Sequence, residues 1–92
     1  MNNKNLLQLA ATYGSPLYVY DTEEIISQYN SITKAFANVK NVKINYAVKA
    51  LSNINILKVF KQLKSGLDTV SIQEVELGLL AGFDSKDIIF TP

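Results

Sequence analysis

One lysine in this sequence stands where a charged side chain is unusual. Lys49 follows the apolar stretch "INYAV" and is flanked by Val48 and Ala50. An amine held at the end of a buried strand is partly stripped of water, which disfavours its charged form. The free amine is a nucleophile that forms imines with carbonyl compounds. The alternative is a lysine that extends from the strand end into solvent and has no chemical role.

The alternation of a strand would give this lysine space. Ala47 and Lys49 fall on one face of the strand, whereas the bulkier Tyr46 and Val48 fall on the other. The small Ala47 leaves room beside the amine, and the bulky residues suit packing against helices. Lys49 also lies at the C-terminal end of its strand, the edge at which α/β sheets and barrels bind ligands.

The elements that position the lysine follow from hydrophobic periodicity and turn residues. We predict strands and helices in alternation, β-α-β-α-β-α-β, with short connections that favour parallel strands and helical crossovers. The predicted strands are Leu17–Tyr20, 42–48, 67–70 and one from 87 onward, and the predicted helices are 21–39, 52–66 and 71–83.

The predicted helices have recognisable ends. Asp21 with Glu24, and Ser71 with Glu74, have the spacing of a capping box at a helix start. Ser52 or Asn53 is expected to cap the second helix. Gly66 and Gly82 are expected to end the second and third helices.

Composition excludes several kinds of function. The 92 residues include nine lysines and eight carboxylates, for a net charge of +1, and the lysines are scattered. We therefore expect no nucleic-acid partner. The absence of histidine and cysteine makes a metal site unexpected, and the absence of arginine excludes a bidentate phosphate clamp within the chain. No apolar run is long enough for a membrane span, so we expect a cytoplasmic protein with no membrane partner.

The predicted α/β architecture is incomplete as a closed sheet. A (β/α)₈ barrel needs about 250 residues, and the chain ends at Thr91-Pro92 in or just after a strand. We therefore expect the first three to four β-α units of a parallel barrel, and expect the chain to be the first part of a larger protein.

Four segments of the chain, in order, resemble the fold-type III pyridoxal-phosphate enzymes, the family with alanine-racemase-like barrels. "YAVKA" is similar to the family's cofactor-lysine motif and "NINILK" to the helix after it. "SGLDTVSIQEVELGLLAGF" resembles a glycine-aspartate-x-x-serine-x-x-glutamate segment, and "IIFTP" resembles the start of the next barrel strand. The opening "YGSPLYVYD" is typical of the decarboxylase branch, and the likeness covers nearly the whole chain.

The resemblance implies roles for particular residues. Lys49 would form the Schiff base with pyridoxal 5'-phosphate, beside Ala47, and Asp68 would be a pocket carboxylate near it. A lone aspartate in an apolar strand needs a partner, and a bond to Lys49 across adjacent strands would supply one. Ser71 and Glu74 match pocket positions, although a plain helix cap also explains them. Leu51 departs from the asparagine usual after this motif.

The resemblance also implies a reaction, and it is greatest to the branch that decarboxylates meso-2,6-diaminopimelate to L-lysine. Decarboxylases of ornithine or arginine, and amino-acid racemases, are the alternatives. The family's phosphate loop, further ring-binding residues and second β domain would lie beyond Pro92, and Leu17–Tyr20 would join that domain. The full-length protein is expected to be a homodimer acting on an amino acid, whereas residues 1–92 alone are expected to be an inactive structural fragment.

Overall fold

The computed structural model describes residues 2–14, 16 and 18–92 and has α/β architecture. Three parallel strands form one sheet in the order β1-β2-β3, and their parallel direction agrees with the prediction. A 3-10 turn follows β1, and a second precedes β3. The elements are α1 (Asn3–Tyr13), α2 (Thr22–Ala35), β1 (Asn45–Ala47), the first 3-10 turn (Val48–Ala50), α3 (Ile54–Gln62), β2 (Gly66–Thr69), α4 (Ile72–Leu80), the second 3-10 turn (Ser85–Asp87) and β3 (Ile88–Phe90).

The core lies between the sheet and the helices that cover one of its faces. Leu57 of α3 and Leu67 of β2 are fully buried there, together with Val48. Tyr46 stacks on Phe60 of α3, with ring centroids 4.1 Å apart and an interplanar angle of 13°. The predicted packing of the bulky Tyr46 and Val48 under the helices is therefore confirmed.

The register of the sheet places Ala47 and Asp68 on its other face, together with Ile89. Ala47 of β1 lies opposite Asp68 of β2, and Asp68 lies opposite Ile89 of β3. Residues opposite each other in adjacent strands share a face, so these three lie on one side. Ile89 is 46% exposed. This side of the sheet, which we call the open face, lacks the helical layer that buries Leu67.

The predicted helix starts are set by local caps. Asp21 Oδ1 accepts a hydrogen bond from the Glu23 N–H over 3.0 Å, and Asn53 Oδ1 accepts one from the Asn55 N–H over 2.9 Å. Asn53, rather than Ser52, therefore caps α3. Glu24 does not complete the predicted capping box, because its carboxylate accepts a hydrogen bond from the Gln28 side chain instead.

Gly66 is not the end of the second helix, and that prediction is wrong. The helix α3 ends at Gln62, and the left-handed residue after it is Lys64, with φ of 66°. Gly66 is the first residue of β2, where a Cβ atom would meet Oδ1 of Asn45 and the carbonyl oxygen of Asp87. The glycine is needed for close approach between strands. By contrast Gly82, with φ of 101°, follows α4 as predicted.

The N-terminal edge of the sheet carries an ion pair. Lys43, just before β1, contacts Oδ1 of Asp87, just before β3, over 2.6 Å. The hydrogen bond from Lys43 lowers the pKa of the Asp87 carboxyl below its usual value. The pair therefore persists at neutral pH and joins the lead-in segments of the two outer strands across β2.

The predicted first strand is Leu17–Tyr20, and its described residues, 18–20, do not form a strand. Leu17 lies outside the described residues, and residues 18–20 have irregular backbone. A strand needs a neighbour to satisfy its backbone groups, and no described strand pairs with this segment. Whether the segment joins a second domain in a longer protein stays a prediction.

Helix α1 was not predicted from the sequence. Its cap is visible in retrospect, because Asn2 Oδ1 accepts a hydrogen bond from the Asn5 N–H over 2.8 Å. Gly14, with φ of 87°, follows its last residue. None of the residues of α1 is buried, although Leu6, Leu9, Ala10 and Tyr13 follow the helical i, i+3, i+4, i+7 spacing. The sequence analysis therefore missed a short amphipathic pattern.

Candidate active site

Lys49 lies just past the end of β1, on a 3-10 turn and not on the strand itself. The strand ends at Ala47, and residues Val48–Ala50 form the turn. The side chain is exposed, so the described residues do not supply the desolvation that the sequence suggested. The prediction that Lys49 lies at the C-terminal edge of the sheet is nevertheless correct, because the turn continues directly from the C-terminal end of a parallel strand. The amine is accessible to a ligand at that edge.

Tyr46 fixes the turn that carries Lys49, a role that the sequence analysis missed. Its hydroxyl donates a hydrogen bond to the Leu51 carbonyl over 2.9 Å, and so spans the turn. Burial, and then the neighbouring Tyr20 hydroxyl, raise the pKa of Tyr46, so the phenol stays neutral and keeps its proton for this bond. The unusual Leu51 side chain is not involved, because the acceptor is its backbone.

Asp68 is half-buried at the same edge, on the open face next to Ala47. Its expected bond to Lys49 is not formed: among the described residues no hydrogen bond or ion pair joins the two side chains. Instead the Thr91 hydroxyl donates a hydrogen bond to Asp68 Oδ1 over 2.5 Å. Lys49 lies beyond the strand on an exposed turn, whereas Thr91 directly follows the neighbouring strand, which explains the exchange of partners.

Ala47 is half-buried and lies opposite Asp68 in the register of the sheet. Its methyl group leaves space over the open face between the carboxylate and the turn that carries Lys49. The structure therefore brings three of the predicted site residues to one edge of the sheet. Their predicted roles in cofactor binding stay predictions.

Ser71 and Glu74 form the N-terminal cap of α4, as their spacing predicts. Ser71 Oγ accepts a hydrogen bond from the Glu74 N–H over 3.2 Å. The Glu74 carboxylate accepts one from the Val70 N–H over 2.9 Å, one residue earlier than in a standard capping box. These bonds account for both side chains within the chain. Their predicted place in a binding pocket stays a prediction.

We expect Ser71→Ala in the complete protein to lower the free energy of unfolding by about 1 kcal/mol, because the first turn of α4 loses its cap. Catalytic constants should change little. Urea unfolding and steady-state kinetics measure the two effects. Ser52→Ala is the matched control, since Ser52 precedes α3 without capping it. A large loss of turnover at unchanged stability would assign Ser71 to the pocket instead.

An apolar groove of about 620 Å³ lies along β1, on the side of the sheet away from β2. Helix α2 forms one wall, and Tyr29 of that helix meets Phe60 edge-on with centroids 6.5 Å apart. Neither Lys49 nor Asp68 lines this groove. Ala47 does line it, so the groove adjoins the edge that carries these two side chains.

The described part of the chain offers neither a metal site nor a membrane-spanning helix. No cluster of three or more histidine, cysteine, aspartate or glutamate side chains there could hold a metal ion. None of the helices that the structure describes has both the length and the apolar character that a bilayer span requires.

Comparison with known families matches residues 22–92 to the family model described as pyridoxal-dependent decarboxylase, pyridoxal binding domain. The match covers the sheet, Lys49 and the elements around it. The resemblance inferred from the four sequence segments is thereby confirmed, and pyridoxal 5'-phosphate is the cofactor of this family.

Two relatives of this chain are both named diaminopimelate decarboxylase. The chain is 36% identical over 86 residues to diaminopimelate decarboxylase of Methanothermobacter thermautotrophicus, covering 92% of the chain and 20% of that protein. It is 39% identical over 84 residues to the enzyme of the same name from Haemophilus influenzae, covering 91% of the chain and 20% of the relative. The chain thus spans about a fifth of the length of these relatives.

Solved structures agree with the sequence relatives. A crystal structure of diaminopimelate decarboxylase from M. jannaschii superposes with a TM-score of 0.88 at 33% identity, covering 92% of this chain and 21% of that one. The same enzyme in co-complex with L-lysine has a TM-score of 0.85. The parallel sheet described above is consistent with the first part of a barrel. The chain therefore belongs to the pyridoxal-dependent decarboxylase family, and residues 22–92 are part of its pyridoxal-binding domain.

Proposed function

We propose that the complete protein containing this chain is a pyridoxal-phosphate-dependent lyase. Its reaction would remove carbon dioxide from meso-2,6-diaminopimelate to give L-lysine. The observation that carries the proposal is Lys49, whose accessible amine stands at the C-terminal edge of the sheet inside the matched domain. The named relatives, which are diaminopimelate decarboxylases, support the choice of substrate. The structure of a relative with L-lysine supports the product.

The residues at this edge fit the cofactor. Pyridoxal phosphate offers an aldehyde, and the exposed Lys49 amine is the group that reacts with it. Ala47 leaves the open face free for a flat ring, and Asp68 supplies a negative charge on the same face. The chain has no arginine or histidine, so the described edge provides the covalent anchor and a carboxylate but no bidentate phosphate clamp.

Each residue of the edge would then have one task. Lys49 would hold the cofactor covalently through Nζ. Tyr46 keeps the turn of Lys49 in place through its bond to Leu51. The Asp68 carboxylate would interact with the positively charged nitrogen that links Lys49 to the cofactor. When bound, the cofactor supplies an electron sink for the carbanion that loss of carbon dioxide leaves.

The proposal also covers the location, the assembly and a second domain of the complete protein. We infer a cytoplasmic homodimer with an amino-acid substrate, in which residues 17–20 belong to a second, β-rich domain. Residues 1–92 alone would be inactive, because two outer strands of the sheet and its open face lack partners among the described residues. An assay of the isolated polypeptide with added cofactor tests that inference.

Substrate choice is the direct test of the proposed function. The complete protein, loaded with pyridoxal phosphate, should release carbon dioxide from meso-diaminopimelate with a kcat/KM at least about a hundredfold above that for L-ornithine or L-arginine. A site built to bind the distal carboxylate of diaminopimelate discriminates against ornithine and arginine, which lack that group. Carbon dioxide release and L-lysine formation are both measured. Preference for ornithine or arginine, or racemisation without carbon dioxide, would assign the protein to another branch.

A further inference from the structure

Thr91 is bonded to β2 in two ways. Its backbone N–H donates to the Thr69 carbonyl over 2.8 Å, which continues the pairing of β2 with β3. Its hydroxyl separately donates to Asp68 Oδ1 over 2.5 Å. The backbone bond pairs the two segments at this edge independently of the hydroxyl. The second bond therefore acts on the carboxylate rather than on the sheet.

The bond leaves one oxygen of Asp68 for another partner. Oδ1 takes the Thr91 hydroxyl, whereas Oδ2 accepts no hydrogen bond from any residue the structure describes. Asp68 is half-buried on the open face beside Ala47, at the edge to which the turn of Lys49 belongs. A hydrogen bond to an ionised carboxylate is short and strong, so it restricts the rotation of that side chain.

We propose that Thr91 is a positioning residue. It holds the Asp68 carboxylate so that the second oxygen of that carboxylate faces the nitrogen that links Lys49 to the cofactor. The inference rests on the proposed function, since it assigns Asp68 a task toward that nitrogen. In this proposal Thr91 contacts neither the cofactor nor the substrate. Its effect passes through Asp68, and a carboxylate that is already oriented costs less reorganisation when the cofactor binds.

The test follows formation of the lysine–cofactor linkage in the complete protein. The apo form is mixed with pyridoxal phosphate, and the absorbance of the linked cofactor is recorded by stopped flow. Thr91→Val keeps the shape but removes the hydroxyl, and we expect linkage to form about tenfold more slowly, the order of effect of one hydrogen bond to a charged group. Thr91→Ser keeps the hydroxyl and should stay within about twofold of wild type.

A double-mutant cycle separates positioning from structural support. In an Asp68→Asn background, Thr91→Val should cause no further slowing, because the carboxylate it orients is already gone. The melting temperature of the apo form should be nearly unchanged by Thr91→Val, since the backbone bond to Thr69 remains. An equal slowing in both backgrounds, or a lowered melting temperature with wild-type linkage kinetics, overturns the proposal.

The same linkage experiment distinguishes failure of the proposed function from failure of the positioning proposal. If the wild-type protein forms no lysine-linked cofactor, the proposed function fails and the positioning proposal fails with it. If the wild-type protein forms the linkage and Thr91→Val forms it at the same rate, only the role of Thr91 is rejected.

Discussion

Replacement of Lys49 by alanine in the complete protein is expected to abolish the covalent cofactor linkage and to lower decarboxylation by on the order of 10⁴-fold or more. The amine is required as a bonding atom, so no neighbouring group replaces it. The fold should be unaffected, because the side chain is exposed and, within the described residues, its ammonium makes no hydrogen bond or ion pair. Surface changes of this kind alter the free energy of unfolding by less than about 0.5 kcal/mol.

Borohydride reduction followed by peptide mapping identifies the lysine directly. The label should appear on the peptide containing Lys49 in the wild-type protein and disappear in Lys49→Ala. Lys58→Ala is the matched control, since Lys58 is an exposed lysine on the nearby helix α3. A label on any other lysine, or normal turnover by Lys49→Ala, would refute the assignment.

Gly66→Ala should destabilise the protein by about 3 kcal/mol, the upper part of the range for overpacking a close-packed site. The added Cβ would meet Asn45 Oδ1, the Asp87 carbonyl oxygen at 2.8 Å and the Lys43 side chain at 3.0 Å. The Asp87 oxygen belongs to the backbone that leads into β3, so relief requires the strands to shift. Urea unfolding of the apo protein measures the loss.

Gly78→Ala is the matched control for that experiment. Its added Cβ would meet the ends of the Leu67 and Ile88 side chains, at 2.8 and 3.2 Å, and these ends can move. Alanine also favours the helix α4 over glycine by about 1 kcal/mol, so the net change should be much smaller. Asn45→Ala should partly restore Gly66→Ala, because it removes one of the contacts. Wild-type stability of Gly66→Ala would show that the strands are not close-packed here.

The predictions that the structure confirms rest on residues that are close together in the sequence. The Ser71 cap and the Asn53 cap depend on bonds that span two or three residues, so the sequence contains all of their parts. The alternation that buries Tyr46 and Val48 is likewise local. The parallel direction of the strands follows from the short helical crossovers between such elements, whereas their order in the sheet was not predicted.

The partners of the site residues depend on register between distant segments, which local patterns do not contain. Asp68 and Thr91 are 23 residues apart, and their bond exists because β2 and β3 pair as Asp68 opposite Ile89. The resemblance placed Asp68 near Lys49 but did not identify the hydroxyl that binds it. Gly66 was mistaken for a helix end because its steric neighbours, Asn45 and Asp87, come together only in the folded sheet.

The sequence by itself determined the alternation of helices and strands from α2 onward, most helix caps and the choice of Lys49 at the C-terminal edge, since each rests on residues within a few positions of one another. Tertiary structure alone decided that β1 ends at Ala47, that Tyr46 braces the turn carrying Lys49, and that this amine stays exposed. The physical reason is that burial and hydrogen-bond partners depend on which distant side chains the packed sheet brings into contact.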